Sequence, residues 1–226
     1  MKPLTIMATL FLTLAISFSS FASTDGIYGL NKNLTASWDG TDGSLIATTT
    51  PDYDYVYGDE AFLTYTLPQT WPTFTFYGQT YSQITADTNG NIWFGSAGSA
   101  NSFILPATGP VIAAWNNDLT SYFNGGVFVQ HKTDLPLGDR VVIEWQAESY
   151  TDEGLALPNN FEVVLFKNGD IRIDYKSFTA ANANDSGSGI SKNDNAHYPA
   201  QQGSCCIAAL PKQGSHQVAH QILPFA

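Results

Sequence analysis

Cysteine is almost absent from the 226 residues, and the two present, Cys205 and Cys206, are adjacent. Adjacent cysteines close no loop, so no disulfide framework can stand in for a hydrophobic core. A strained vicinal bridge, a bond to another chain and free thiols all remain open for the pair. Positive charge is scarce too: 9 Lys and Arg against 20 Asp and Glu give a net charge of −11. Such a surface repels nucleic acid and anionic lipid, so neither is an expected partner. Helical periodicity is missing beyond residue 22, and no helix-length inserts separate the β-rich runs, which excludes a parallel α/β sheet. Also missing there is any apolar run of membrane-spanning length, so no membrane insertion is expected of the mature chain. The compact catalytic signatures are lacking as well: there is no G-x-S-x-G elbow, no H-E-x-x-H, no phosphate loop and no C-x-x-C.

What is present begins with a leader. Lys2, the apolar stretch "LTIMATLFLTLAISF" and the small residues Ser20 and Ala22 read as a signal peptide over residues 1–22. The expectation is export, to the extracellular space, the cell surface or the periplasm. Residues 23–60 form a turn-dense, acidic arm, with Asp-Gly pairs at Asp25-Gly26, Asp39-Gly40 and Asp42-Gly43 and then "PDYDYVYGDE". Residues 61–226 break into short runs rich in β-branched and aromatic residues, from "AFLTYTL" to "DIRIDYKSF". With 43% apolar and 13% aromatic residues there is enough material for one sizeable core. The expected class is all-β, a single antiparallel β-sandwich, jelly-roll-like, with short hairpins and a long polar loop near 181–195. The tail, with Val218, His220 and Ile222 alternating, is a candidate closing strand.

Two hairpins carry Asn-Gly, the strongest short turn signal. Around Asn168-Gly169 a two-residue loop pairs Lys167 with Asp170, Phe166 with Ile171 and Val164 with Ile173. In "ITADTNGNIWFG" the spacing of Asp87, Asn89 and Asn91 imitates a calcium loop, but its glycine comes fourth rather than sixth and Gly98 stands where the closing Glu belongs. A three-residue loop, Asn89-Gly90-Asn91, puts Ile84 and Ala86 on one face with Ile92 and Phe94. That register sends Asp87 and Trp93 to the opposite face beside Tyr81, as candidate binding residues on an open sheet surface. The strand "VIAAWNNDL" adds Trp115, Asn117 and Asp118, two polar groups and an aromatic ring at a sandwich edge, suited to a sugar or to calcium. No cofactor is expected otherwise, and no metal ligand set is assigned.

Catalytic carboxylates are harder to assemble. Glu144 and Glu148 share a strand face about 13 Å apart, too far for glycoside hydrolysis without a carboxylate from another strand such as Asp118 or Glu162. His216 and His220 converge on a metal only in a helix, and the segment reads as a strand.

The order "TFTFYGQTYSQITADTNGNIWFG", "NSFILP", "VIAAWNNDL", "GGVFV", "RVVIEW", "NFEVVLFKNGDIRIDY" and "GSGISKND" resembles a nidogen-type extracellular β-domain, the NIDO-like modules of secreted bacterial proteins, over about residues 62–198. The resemblance implies a non-catalytic extracellular module associated with adhesion, matrix or surface assembly, and it supplies no catalytic residue. The expected partners are an extracellular protein or glycan, or other copies of the chain joined by strand addition into an oligomer or filament, with the 23–60 arm as the donor. The competing expectation is a secreted carbohydrate-active hydrolase using Asp118 with a strand carboxylate.

Overall fold

The computed structural model describes residues 23–24, 27–34, 38–41, 53–95, 109–122, 125–149, 159–177, 187–192, 194, 200–202 and 218–224. The leader, Cys205, Cys206, His216 and residues 181–186 lie outside them. Among the described residues the regular elements are strands, and the pairings between them are antiparallel.

The larger sheet has nine strands. Its path runs β1 (Ser23–Thr24), β2 (Tyr28–Leu34), β17 (Val218–Pro224), β14 (Ile171–Ser177), β13 (Asn159–Phe166), β12 (Arg140–Ser149), β11 (Gly126–Lys132) and β3 (Tyr53–Val56), and the short β10 (Leu119–Thr120) also pairs with β12. The smaller sheet follows the order β16 (Ala200–Gln202), β15 (Gly187–Ser191), β9 (Val111–Asn116), β8 (Asn91–Phe94), β7 (Gln83–Asp87) and β4 (Phe62–Thr66). A two-stranded ribbon, β5 (Phe74–Phe76) with β6 (Gln79–Tyr81), completes the set.

Period-2 alternation fixes which side of the larger sheet is apolar. Val141, Ile143 and Trp145 on β12, Phe161, Val163 and Leu165 on β13, and Ile171, Ile173 and Tyr175 on β14 enter one core with Ile84, Ala86, Ile92, Phe94, Ile112 and Ala114 of the smaller sheet. The sheets are joined by directed contacts. Phe161 stacks on Trp145 at 5.1 Å and meets Trp115 edge-on at 5.9 Å. Tyr175 donates its hydroxyl proton to the Ala114 carbonyl at 2.5 Å, and the Trp145 indole donates to the Asp87 carbonyl at 2.7 Å. Each large apolar side chain buried this way contributes about 1.5–3 kcal/mol, and the two hydrogen bonds fix how the sheets sit on each other.

Three sequence expectations change in detail. In the second hairpin the observed pairs are Leu165 with Ile171 and Val163 with Ile173, so the loop is the three residues Lys167-Asn168-Gly169, not two. Gly169 at φ 96° is the left-handed residue that closes such a loop with a bulge. In the first hairpin Ile84 pairs with Phe94 and Ala86 with Ile92, as their shared face requires, but the loop is Thr88-Asn89-Gly90, with Gly90 at φ 83°. Both turns therefore close on their glycine. The third change is β15, which lies inside the polar stretch read as a loop: Ile190 is fully buried in the core, and the glycine-serine backbone pairs on both sides, with β9 and β16. One apolar anchor and two ladders outweigh a loop-like composition.

Candidate functional site

One end of the sandwich is a rim made from three chain segments, residues 57–62, 88–90 and 117–122. Residues 57–61 carry the chain from β3, the edge of the larger sheet, to β4, the edge of the smaller one. The segments are tied by main-chain contacts: Asp59 bridges Thr120, the Ser121 N–H donates to the Gly58 carbonyl at 2.9 Å, and the Thr88 N–H donates to the Ala61 carbonyl at 2.9 Å. Side chains complete the join. The Gly58 N–H donates to Ser121 Oγ at 3.0 Å and the Ala61 N–H to Thr88 Oγ1 at 3.1 Å. Asn89 is the central strut: its Oδ1 accepts the Leu119 N–H at 2.8 Å, its carbonyl accepts the Asn117 N–H at 3.3 Å, and its Nδ2 donates to Glu60 Oε1 at 3.4 Å. Glu60 holds a positive φ of 51°, a costly conformation for a side-chain-bearing residue.

This frame brings three carboxylates together. Oxygen atoms of Asp59, Glu60 and Asp118 lie within 4.8 Å of one another. Burial and the neighbouring Asp59 charge push the Asp118 carboxyl above its ordinary value. Around the triad the chain exposes aromatic rings: Tyr57 at 55%, Phe62 at 61% and Tyr122 at 61%, three of the five large hydrophobic side chains left exposed among the described residues. The other two, Leu135 and Leu137, belong to the turn after β11. Exposed rings can bury area on contact, and exposed carboxylates can pair with cations or accept from hydroxyls.

The residues singled out from sequence divide sharply. Asp118 joins the triad. Asn117 is 4% exposed and turns its Oδ1 onto the Asp118 N–H at 2.8 Å, so it shapes the chain instead of facing solvent. Trp115, 2% exposed, is core against Phe161. Asp87 and Trp93 do share the face opposite Ile84 and Phe94, but that face is not open: Trp93 is 1% exposed and clusters with Val111, and Asp87 is 4% exposed. Asp87 accepts from the Trp93 indole at 2.6 Å and from the Asn91 N–H at 2.9 Å, and Asn91 in turn accepts from Asn116 Nδ2 at 2.7 Å. Tyr81 is not with them; its ring packs on Phe94 at 5.1 Å. Asp87 and Trp93 are thus a buried support and Tyr81 a core contact, because the face that carries Thr85, Asp87, Asn91, Trp93 and Val111 is buried along β7, β8 and β9. Sequence reasoning missed Tyr57, Asp59, Glu60, Phe62 and Tyr122. The signal was present in "PDYDYVYGDE", whose acidic and aromatic content stood out; what the sequence could not supply was the fold of Asp118 against it.

The strand carboxylates relevant to hydrolysis lie elsewhere. Glu144 and Glu162 face each other across the β12–β13 ladder, both buried, and their oxygens accept backbone N–H groups from residues 39–41. Glu148, fully buried, sits opposite Thr120.

An all-β, antiparallel two-sheet domain with an acidic, aromatic rim defines the class. The chain belongs to the NIDO-related family, whose model matches residues 43–213, about three quarters of its length. The match takes in both sheets' central strands and the whole rim, and it makes this an extracellular-type domain. No curated protein and no solved structure matches the chain.

Proposed function

We propose that the chain is a secreted, non-catalytic binding or structural module that engages a cationic segment of an extracellular protein through the rim of Tyr57, Asp59, Glu60, Phe62, Asp118 and Tyr122. The observation that carries this reading is that three carboxylates within 4.8 Å of one another and three exposed rings all come from the rim segments 57–62 and 117–122. Lys and Arg pair with the carboxylates and lie over the rings, while the apolar parts of the partner bury the ring faces. The setting is adhesion or matrix assembly, and the flanking edge strands β3 and β4 supply a route to self-association by strand addition.

The test is titration calorimetry of the protein against a Lys/Arg-rich peptide, a polysaccharide panel and calcium. The expected result is peptide binding that weakens with salt and falls about tenfold or more in Asp59→Asn/Glu60→Gln/Asp118→Asn. A Phe62→Ala/Tyr122→Ala variant loses a similar amount. Peptide affinity unchanged in both variants removes the rim from the reading. Binding of a polysaccharide or calcium alone replaces the partner class, and polysaccharide turnover abolished by Asp118→Asn replaces the module with a hydrolase.

A further inference from the structure

On the face of the larger sheet turned away from the core, buried charged side chains stand among the apolar Phe128, Val142 and Val164. Glu144, Glu162 and Asp174 form a row across three strands, Glu144 opposite Glu162 on β12 and β13, and Glu162 opposite Asp174 on β14. All three are buried, at 3%, 0% and 0% exposed, together with Arg140 at 1% and Arg172 at 7%. The cover over the row is the segment Trp38–Thr41, which is not itself a strand.

The segment is docked by donors. The N–H groups of Asp39 and Gly40 donate to the two oxygens of Glu162 at 2.9 and 2.7 Å, and the N–H and hydroxyl of Thr41 donate to Glu144 Oε2 at 2.6 and 2.8 Å. The Asp39 carboxylate takes both Nε and Nη2 of Arg140, and Lys132 donates to the Asp39 carbonyl at 3.1 Å. Gly40 allows the fit: its φ is +60°, and a Cβ there would meet the Trp38 indole nitrogen at 2.7 Å. Lys176 caps the Trp38 ring at 5.0 Å.

Among the described residues, the charged groups facing the row are these. The strap contributes Asp39, β12 contributes Glu144 and Arg140, β13 contributes Glu162, β14 contributes Arg172 and Asp174, and β11 contributes Lys132. Asp134, which pairs with Arg140, and Lys176, over Trp38, stand at the periphery. Inside that periphery are four acids and three bases, so one proton makes the cluster neutral. The place for it is between Glu162 and Asp174, two buried carboxyls that face each other across the β13–β14 ladder. Asp174 is short of donors in any case: Arg172 Nε reaches its Oδ2 at 2.5 Å, but its buried Oδ1 has no hydrogen-bond partner.

We propose that Trp38–Thr41 is a proton-linked latch, closed over the Glu144, Glu162 and Asp174 row while Glu162 and Asp174 hold a proton between them, and lifted when that proton leaves. Opening uncovers an anionic row flanked by Arg140 and Arg172. The driving force is linkage. Burial, the largest influence, pushes the Glu162 carboxyl up to about 8, and it raises Asp174 as well. An open latch returns Glu162 to water and toward its ordinary value of 4.5. The closed state therefore binds the proton more tightly, and rising pH favours opening, by up to about tenfold per pH unit between the two values and no further above the higher one.

The test is amide hydrogen exchange at Asp39, Gly40 and Thr41 in the full chain from pH 5 to 9, corrected for the intrinsic base-catalysed rate. The expected result is protection that declines through this window and levels off above about pH 8, with Glu162→Gln abolishing the decline. A second measurement does not depend on that variant folding. Carboxyl carbon titration of Glu162 should give a midpoint near 8 in the unmodified protein and a markedly lower one in Gly40→Ala, which displaces the strap without changing any charge. Protection independent of pH, an unaltered slope in Glu162→Gln, or the same Glu162 midpoint in Gly40→Ala would overturn the latch.

Discussion

In the β7–β8 hairpin the turn Thr88-Asn89-Gly90 is buried under the rim, whereas in the β13–β14 hairpin the turn Lys167-Asn168-Gly169 stands at the surface, although both have three residues and close on a glycine at positive φ. The surface Asn168 serves only its own turn, accepting the Asp170 N–H at 3.1 Å and donating to the Asp170 carboxylate at 2.9 Å. The buried Asn89 spends the same amide on other segments, accepting from Leu119 and donating to Glu60. One local code therefore gives a chain reversal in one place and the scaffold of the rim in the other. The difference lies in what the rest of the fold lays over the turn.

The largest test of that difference is Gly→Ala at each turn. At Gly169 the substitution forces a left-handed alanine, at a cost of about 1–2 kcal/mol. Gly90 carries the same penalty and, in addition, a Cβ that would stand 2.2 Å from the Trp115 carbonyl oxygen. A backbone atom cannot rotate away, so the expected loss is more than about 4 kcal/mol, at the extreme of single-site effects. Urea unfolding of both variants reads the contrast, and equal losses would mean that the buried turn is as free to move as the exposed one.

The aspartate beside the buried turn tests that turn through pH. Burial pushes the Asp87 carboxyl up to about 6 from 3.8, against the opposing donors of Trp93 and Asn91. A folded value above the unfolded one means stability that is fully present below about 3.8 and lost as pH rises through 6. The size of the loss is about 3 kcal/mol. Glu162 acts in the same direction over a higher range, so the readout is a difference: unfolding free energy of the unmodified protein minus that of Asp87→Asn, followed from pH 4 to 7. That difference should shift by about 2.4 kcal/mol over this range, with the Glu162 contribution cancelling between distant sites.

How far the sequence could be read follows from the same residues. Alternation told which face Ile84, Ala86, Ile92 and Phe94 share, because a one-residue slip would have exposed all four. Alternation also placed Asp87 and Trp93 together on the other face, yet it carries no information on whether that face meets solvent or another layer. Turn chemistry announced both Asn-Gly hairpins but not the position of the glycine within the loop, since two- and three-residue loops both satisfy a positive φ. The rim was half legible: "PDYDYVYGDE" advertised its acids and rings, and Asp118 its carboxylate, while their meeting depends on contacts between residues about sixty apart, such as Ser121 with Gly58. The charged row beneath Trp38–Thr41 was not legible at all. Glu144 and Glu162 stand out only as candidate catalytic carboxylates, and nothing in the strand pattern announces the segment 38–41 that docks on them.

The smallest expected effect discriminates most finely. Asn168→Ala removes hydrogen bonds that water can replace and should cost about 0.5–1 kcal/mol. Asn89→Ala strands the Leu119 N–H, which sits in a fully buried residue, without a partner, for about 2 kcal/mol. Stability alone would not separate a turn defect from a rim defect, so the second readout is affinity for the Lys/Arg-rich peptide. Loss of the strut frees Glu60 from its Asn89 contact and loosens 117–119 beneath Asp118. Peptide affinity should then fall severalfold in Asn89→Ala and stay unchanged in Asn168→Ala. Parallel affinities in the two variants would show that the buried turn only closes its hairpin, as the exposed one does, and that the rim is held in place by the main-chain contacts of Gly58, Ala61 and Ser121.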